Sequence, residues 1–416
     1  MAIIKPFKAL RPKPELVTKV ASPPYDVLNR EEALQMAKDN PDSFLHIGKS
    51  EIDLEANIDS YDKRVYQKAR ENLDKMVEEK IYIQDKKNKI YIYRQIMNGR
   101  SQTGLVVCTS IDDYLNGVIK KHENTRKDKE QDRINHVNTT DANTGPIFLA
   151  YRADKNVRKL INNWIEKEKA VYDFISEDGI THTCWVIDDE TVIDQLIKAF
   201  TNIDYLYIAD GHHRAASGVK VGLNRREQFK DFTGKEEFNY FLSVLFPDNE
   251  LYIMDYNRVV EDLWSNSEAE FMEKISEKFK VEACEEKNPY KPQTKHTFGM
   301  YLDSKWYKLT AKAETFNEED VVGRLDVSIL QYNLLSPILG IENPRTDKRI
   351  EFVGGIRGLE ELEKRVDSGA KVAFSLFPTS IEDLMAVADV KKVMPPKSTW
   401  FEPKLRSGIF IHKISE

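Results

Sequence analysis

Cysteine is scarce: the 416 residues contain three, Cys108, Cys184 and Cys284, all far apart. That spacing builds neither a disulfide framework nor a thiolate metal cage, and it predicts a reducing, cytoplasmic setting. Long apolar runs are missing as well. No stretch approaches the ~20 residues that cross a bilayer, and residues 1–7 lack the apolar core of a secretion signal, so no membrane partner is expected. Positive charge is not in excess. Lys and Arg total 62 against 69 Asp and Glu, a formal net charge of -7. An acidic balance speaks against a general nucleic-acid coat, and no nucleic-acid partner is expected. GxGxxG and Walker patterns are absent. The paired Gly354 and Gly355 read as a tight turn into a helix rather than a phosphate loop. There is no internal repeat and no low-complexity segment, and nothing in the sequence fixes an oligomeric state.

What is present fits a globular chain of two or three domains, with 41% hydrophobic and 31% charged residues. Strand-like and helix-like segments alternate through the middle, which predicts an α/β or α+β fold. Asn98-Gly99 is a two-residue hairpin signal, and Asp303-Ser304 marks a second hairpin. A third is expected around Pro247, Asp248 and Asn249, between strands over 239–246 and 251–256. Residues 60–80 carry Val65, Ala69, Leu73 and Met76 on one face of a scaffold helix. Phe44 and His46 are expected on a strand with His46 packed in the core, and residues 287–295 read as a linker or exposed loop. The expected division is 1–110, 111–260 and 261–416.

One stretch carries most of the chemistry. Tyr205 to Ala209 is an unbroken strand-like run, followed by Asp210-Gly211-His212-His213-Arg214 and then Ala215-Ala216-Ser217, which reads as the helix start. A strand that enters a helix through glycine leaves free backbone N–H groups at the positive end of the helix dipole, which is an anion site. Arg214 adds a planar fork for an oxyanion, and Asp210 adds a carboxylate suited to a divalent cation. The pattern points to phosphate handling; the plainer alternative is a polar turn whose histidines only make structural hydrogen bonds.

Three other blocks stand out. Pro23 and Pro24 fix an extended backbone ahead of Tyr25 and Asp26, which holds one phenol and one carboxylate in set positions. Residues 120–133 are almost free of aliphatic side chains and include His122, Glu123, Arg126 and Arg133. This block reads equally as a solvated helix face and as a helix converging several cations on one ligand. The tail holds Lys397, Ser398, Thr399, Trp400, Lys404 and Arg406 among three prolines. It reads as a rim offering cations and hydroxyls to an anion, or as a structural cap anchored by Trp400.

Taken together, Pro-Pro-Tyr-Asp, His-Glu-Asn-Thr-Arg, Asp-Gly-His-His-Arg and Pro-Pro-Lys-Ser-Thr-Trp-Phe-Glu-Pro-Lys resemble a large bacterial and archaeal family long catalogued as a domain of unknown function and sometimes labelled ParB-like. The Gly-His-His-Arg turn is also similar to the turns of sulfiredoxins and ParB-type domains, and free-serine kinases (SerK) carry a similar one. The resemblance implies a mixed-sheet core of the ParB/sulfiredoxin type with α/β elaborations at both ends. It implies a kinase that converts free L-serine to O-phosphoserine with ATP, ADP or pyrophosphate as donor, and Mg2+ as the accompanying ion. His212 stands where sulfiredoxins place their cysteine, which argues against sulfinic-acid repair.

On this reading Gly211, His212, His213 and Arg214 face the donor phosphates. Asp26 is the first candidate for general base and Glu123 the second. Arg126 and Arg133 complete the anion clamp or hold the serine carboxylate, and Lys397, Ser398 and Thr399 add phosphate contacts. Tyr25, His122 and Arg406 line the acceptor side, and Asp210 positions the magnesium. The rival is a non-catalytic nucleotide-binding or DNA-associated regulator with a ParB-like core.

Overall fold

The computed structural model describes residues 1–285 and 288–415. The chain is α/β and divides into two compact units: residues 1–251 together with 403–416, and residues 252–402.

A nine-stranded mixed sheet organises the first unit. Its strands are β1 (Ile4–Lys5), β2 (Ile90–Met97), β3 (Arg100–Ser110), β4 (Ile119–Lys120), β5 (Ile147–Tyr151), β6 (Tyr172–Ile175), β7 (Thr181–Ile187), β8 (Leu206–Asp210) and β9 (Tyr240–Pro247). The order is β4-β8-β5-β9-β3-β2-β7-β6, with β1 paired to β3. Two pairs are parallel, β4 with β8 and β5 with β9; the other pairs are antiparallel. β2 and β3 form the expected hairpin through Asn98 and Gly99, both at positive φ.

Strand alternation sorts the side chains onto two faces. Ile90, Ile92, Leu105, Val107, Leu149, Leu206 and Ile208 join the main core. Helices contributing to that core include α4 (Lys155–Lys167), through Val157, Ile161 and Trp164, and α5 (Glu190–Phe200), through Ile193, Leu196 and Phe200, and Ala215 and Val219 join them from the helix that follows Gly211. On the other face Tyr91 packs against Phe7 and Phe410. Three earlier helices are α1 (Arg30–Ala37), α2 (Lys63–Glu78) and α3 (Lys127–Thr140); the last, α6, is His212–Gln228. Asn29 starts α1 with a reciprocal cap to Glu32. Ile134 and Val137 of α3 pack with Val221 of α6, which lays the charged block beside the Gly211 turn.

Close packing between α6 and its surroundings is strictest at Gly222. A Cβ there would lie 2.5 Å from the Phe238 carbonyl oxygen and 2.7 Å from Ile111 Cδ1. Gly222→Ala is therefore expected to destabilise the first unit by roughly 1–3 kcal/mol, read as a lower urea midpoint at unchanged slope.

The tail returns to this unit. Ser407 bridges Ser22, Ile411 bridges Leu10, and His412–Lys413 pairs with Ala142–Asn143. In the second unit a six-stranded antiparallel sheet runs in the order Phe279–Ala283, Lys305–Ala311, Thr297–Leu302, Val372–Leu376, Tyr256–Val260, Ile350–Gly354. The Asp303-Ser304 hairpin is present here, with both residues at positive φ.

Three local expectations are corrected. Residues 45–48 form a short helix, not a strand, with the Ser43 hydroxyl accepting from the Leu45 N–H; His46 lies outside the core and meets Asp53 at 2.7 Å. The hairpin around Pro247 does not form. Asp248–Glu250 makes a helical turn instead, and Tyr252–Met254 pairs with Trp400–Glu402. Lys287, the first residue of the expected linker, lies outside the described residues, while 288–295 has no helix or strand. Among the described residues no helix is long and apolar enough to cross a membrane.

Candidate functional site

β8 ends at Asp210, and α6 opens at His212, three residues earlier than the sequence reading put it. Gly211 makes the turn at φ 94° and ψ 32°, a left-handed conformation that side chains other than glycine rarely adopt. His212, His213 and Arg214 are thus the first helical turn itself, and their backbone N–H groups have no partner one turn back along the helix. Arg214 folds over the glycine: a Cβ on Gly211 would lie 3.1 Å from Arg214 Nε.

The Arg214 guanidinium donates to Asp210 Oδ2 at 2.9 Å and to the Pro146 carbonyl. Its Nε is buried without a partner among the described residues. Burial opposes its charge, but the Asp26 and Asp210 carboxylates more than offset that. On the other side of Asp210, Lys404 Nζ approaches Oδ1 at 3.4 Å. Burial would raise the Asp210 pKa; Lys404 and Arg214 pull it down to about 2. Lys404, part of the tail motif, has no role predictable from the sequence. Only the fold pairs it with Asp210.

The proline loop is braced by the tail. Ser22 N–H donates to the Ser407 carbonyl at 3.1 Å, and Ser407 N–H returns the bond at 2.9 Å. Tyr25 then lies under Arg133, whose guanidinium carbon is 3.9 Å from the ring centroid, a cation–π contact. Burial pushes the Tyr25 phenol up to about 12 despite Arg133. Asp26 is exposed, and its charge acts on Tyr25, His213 and Arg214 alike. The amino-terminal carboxylate and the Gly211 turn therefore share one neighbourhood.

The charged block divides in two. Residues 121–126 are loop, and α3 begins at Lys127. Arg126 reaches the turn by its backbone, its N–H donating to His213 Nε2 at 3.0 Å; its guanidinium is exposed and pairs with Asp128 at 2.7 Å. Burial lowers the His213 pKa, with Asp26 opposing. Arg133 is held by Asp132 at 2.8 Å, whose other oxygen accepts from the Tyr66 hydroxyl at 3.0 Å. Tyr25, Arg133, Arg214, Thr144, Gly145 and Ser407 surround a cavity of 40 Å³, room for about three waters.

His122 and His212 lie edge to face, centroids 4.5 Å apart. Together with Glu123 they offer three ligand atoms within 4.8 Å of one another. Burial pushes His122 down to about 4 and His212 well below its usual range.

Arg406, Ser398 and Lys397 each have partners of their own. Arg406 is buried with its guanidinium on Asp178. Lys397, Ser398 and Thr399 belong to the second unit, where the Ser398 hydroxyl donates to the Pro395 carbonyl at 2.6 Å, the Lys397 carbonyl accepts from Arg258 and the Lys397 ammonium lies over Tyr256.

Two more buried histidines make the fold sensitive to acid. Burial, aided by Arg133, pushes His136 to about 4, and burial with Arg406 pushes His182 to about 3. Both titrate near 6.5 once unfolded, so the unfolded chain binds more protons below that pH and stability falls as pH drops from about 6.5 toward 4. Each contributes at most ~1.4 kcal/mol per pH unit in that window. Urea unfolding at pH 7 and pH 5 is expected to show this loss, with about 2 kcal/mol less of it in His182→Gln.

The family model described as "Protein of unknown function (DUF1015)" matches residues 4–328. The chain belongs to that family. No curated protein matches the sequence. Solved structures similar to this chain include a free serine kinase in complex with AMP, at 13% identity and TM-score 0.34, covering 74% of this chain and 91% of that one. SbnI with a C-terminal truncation, from Staphylococcus aureus, is similar at 11% identity and TM-score 0.37, covering 73% and 85%. A conserved hypothetical protein from Pyrococcus furiosus is similar at 14% identity and TM-score 0.33, covering 74% and 94%.

Proposed function

We propose that this DUF1015 protein is a phosphotransferase that moves a phosphoryl group from a nucleotide or pyrophosphate to the hydroxyl of free L-serine. The observation that carries the reading is the cavity lined by Tyr25, the neighbour of the exposed Asp26 on the proline loop, together with Arg133 and Arg214 at the opening of α6. Phosphoryl transfer needs charge neutralisation on the moving oxygens, an aligned acceptor and a base at the acceptor hydroxyl. The N–H groups of the first turn of α6 and the cations Arg214 and Arg133 meet the first need. Asp26, held by the proline loop and open to solvent, meets the last. A non-catalytic regulator would use the turn but would leave the braced carboxylate beside it without a task.

Magnesium would accompany the donor phosphates rather than wait in a protein cage. Asp210, the carboxylate assigned to it, already has one oxygen on Arg214 and the other toward Lys404. A hard ion on that carboxylate would have to displace one of these cations.

The test is to incubate purified protein with L-serine and, in separate reactions, ATP, ADP or pyrophosphate, and to identify products by mass spectrometry. Serine-dependent O-phosphoserine with one of the three donors is expected. Donor hydrolysis without a serine product would replace the acceptor; no reaction with any donor would remove the proposal.

A further inference from the structure

We propose that His122, Glu123 and His212 form a binding site for a first-row divalent transition ion, distinct from any magnesium carried by a donor. His122 is 2% exposed and His212 6% exposed. His122 Nδ1 and His212 Nε2 are both buried and have no hydrogen-bond partner among the described residues. A buried polar nitrogen left bare loses its hydration without compensation, so the arrangement is costly unless something fills it.

The orientation suits a metal. His122 makes its hydrogen bond to the Ile208 carbonyl with its other ring nitrogen, which fixes that nitrogen as the N–H and leaves Nδ1 with its lone pair. This is the arrangement by which a backbone carbonyl sets the tautomer of a metal-bound histidine. His212 is fixed by the first turn of α6, and Glu123 follows His122 on the same loop. The three ligand atoms lie within 4.8 Å of one another. Ligands at ~2.1 Å around a tetrahedral ion stand about 3.4 Å apart, so small side-chain rotations close the set.

Two imidazoles and one carboxylate select a zinc-, cobalt-, manganese- or iron-type ion over magnesium, which prefers an all-oxygen shell. Three protein ligands also leave a position open for water or an anionic oxygen. His212 thus holds the ion, and the neighbouring His213, whose Nε2 is taken by the Arg126 N–H, does not. The site goes beyond the kinase reading and stands on side-chain geometry alone.

The experiment uses full-length protein stripped with chelator, then titrated with Co2+ in the absence of serine and donor. One equivalent is expected to bind with the visible absorption of a histidine-ligated ion, to survive excess Mg2+ and to be displaced by Zn2+. His122→Gln and His212→Gln are each expected to weaken binding by more than about 100-fold, since even losing a group that only hydrogen-bonds to a metal ligand costs up to that much. His213→Gln is expected to bind as the wild type, and circular dichroism establishes that each variant is folded. No stoichiometric Co2+ or Zn2+ on folded wild-type protein, or unchanged binding in both folded His→Gln variants, would overturn the site. Metal binding without O-phosphoserine formation would count against the kinase reading alone, and O-phosphoserine without metal binding against the metal site alone.

Discussion

Asp26→Asn is expected to lower kcat for serine phosphorylation by roughly 10²–10⁴ while leaving donor affinity within about twofold. The substitution keeps the size and shape of the side chain and removes its ability to accept the acceptor proton. Asp26 is exposed at a turn braced by Pro23, Pro24 and the Ser22–Ser407 backbone bonds, so the loop has no reason to move. Arg214 stays charged without it, because Asp210 remains at 2.9 Å. Steady-state kinetics that separate kcat from donor KM provide the check. An unchanged kcat would take the base role from Asp26.

Arg214→Ala carries the second large effect, and it acts on both affinity and fold. The guanidinium is the cation most tightly built into the opening of α6, stacked over Gly211 and tied to Asp210 and Pro146. Its loss removes a preorganised donor from the phosphates, worth about 10²–10³ in kcat/KM for the donor. It also strips Asp210 of one of its two cations. Breaking a largely buried pair costs about 3–5 kcal/mol, and the Lys404 contact that remains brings the expected loss to roughly 2–3 kcal/mol. Arg214→Lys should recover much of the stability and less of the donor affinity, since an ammonium cannot make the forked contact. The readouts are donor KM and the urea midpoint, and equal recovery of both by lysine would contradict a forked grip on phosphate.

Much of the frame was legible because local rules and the fold agree. Asn98-Gly99 and Asp303-Ser304 turn the chain where the sequence places the turns, since both pairs accept positive φ. The Asp26 loop was readable as a proline-stiffened polar segment and the Gly211 turn as a strand entering a helix through glycine. What was missed depends on distance along the chain or on packing. No side-chain cap precedes α6, so its start at His212 is hidden behind a glycine in a left-handed turn. Lys404 meets Asp210, and His122 meets His212, only because β4 pairs with β8 and the tail returns. The charged block reads both ways because its residues divide: Arg126 pairs in solvent with Asp128, while Arg133 lies over Tyr25.

The most direct measurement is a 31P NMR time course of wild-type protein with L-serine and the best of the three donors. The account predicts a growing phosphomonoester resonance that co-migrates with added O-phosphoserine, matched mole for mole by loss of donor and absent without serine. Donor that stays intact, or that decays at the same rate with and without serine, would contradict it.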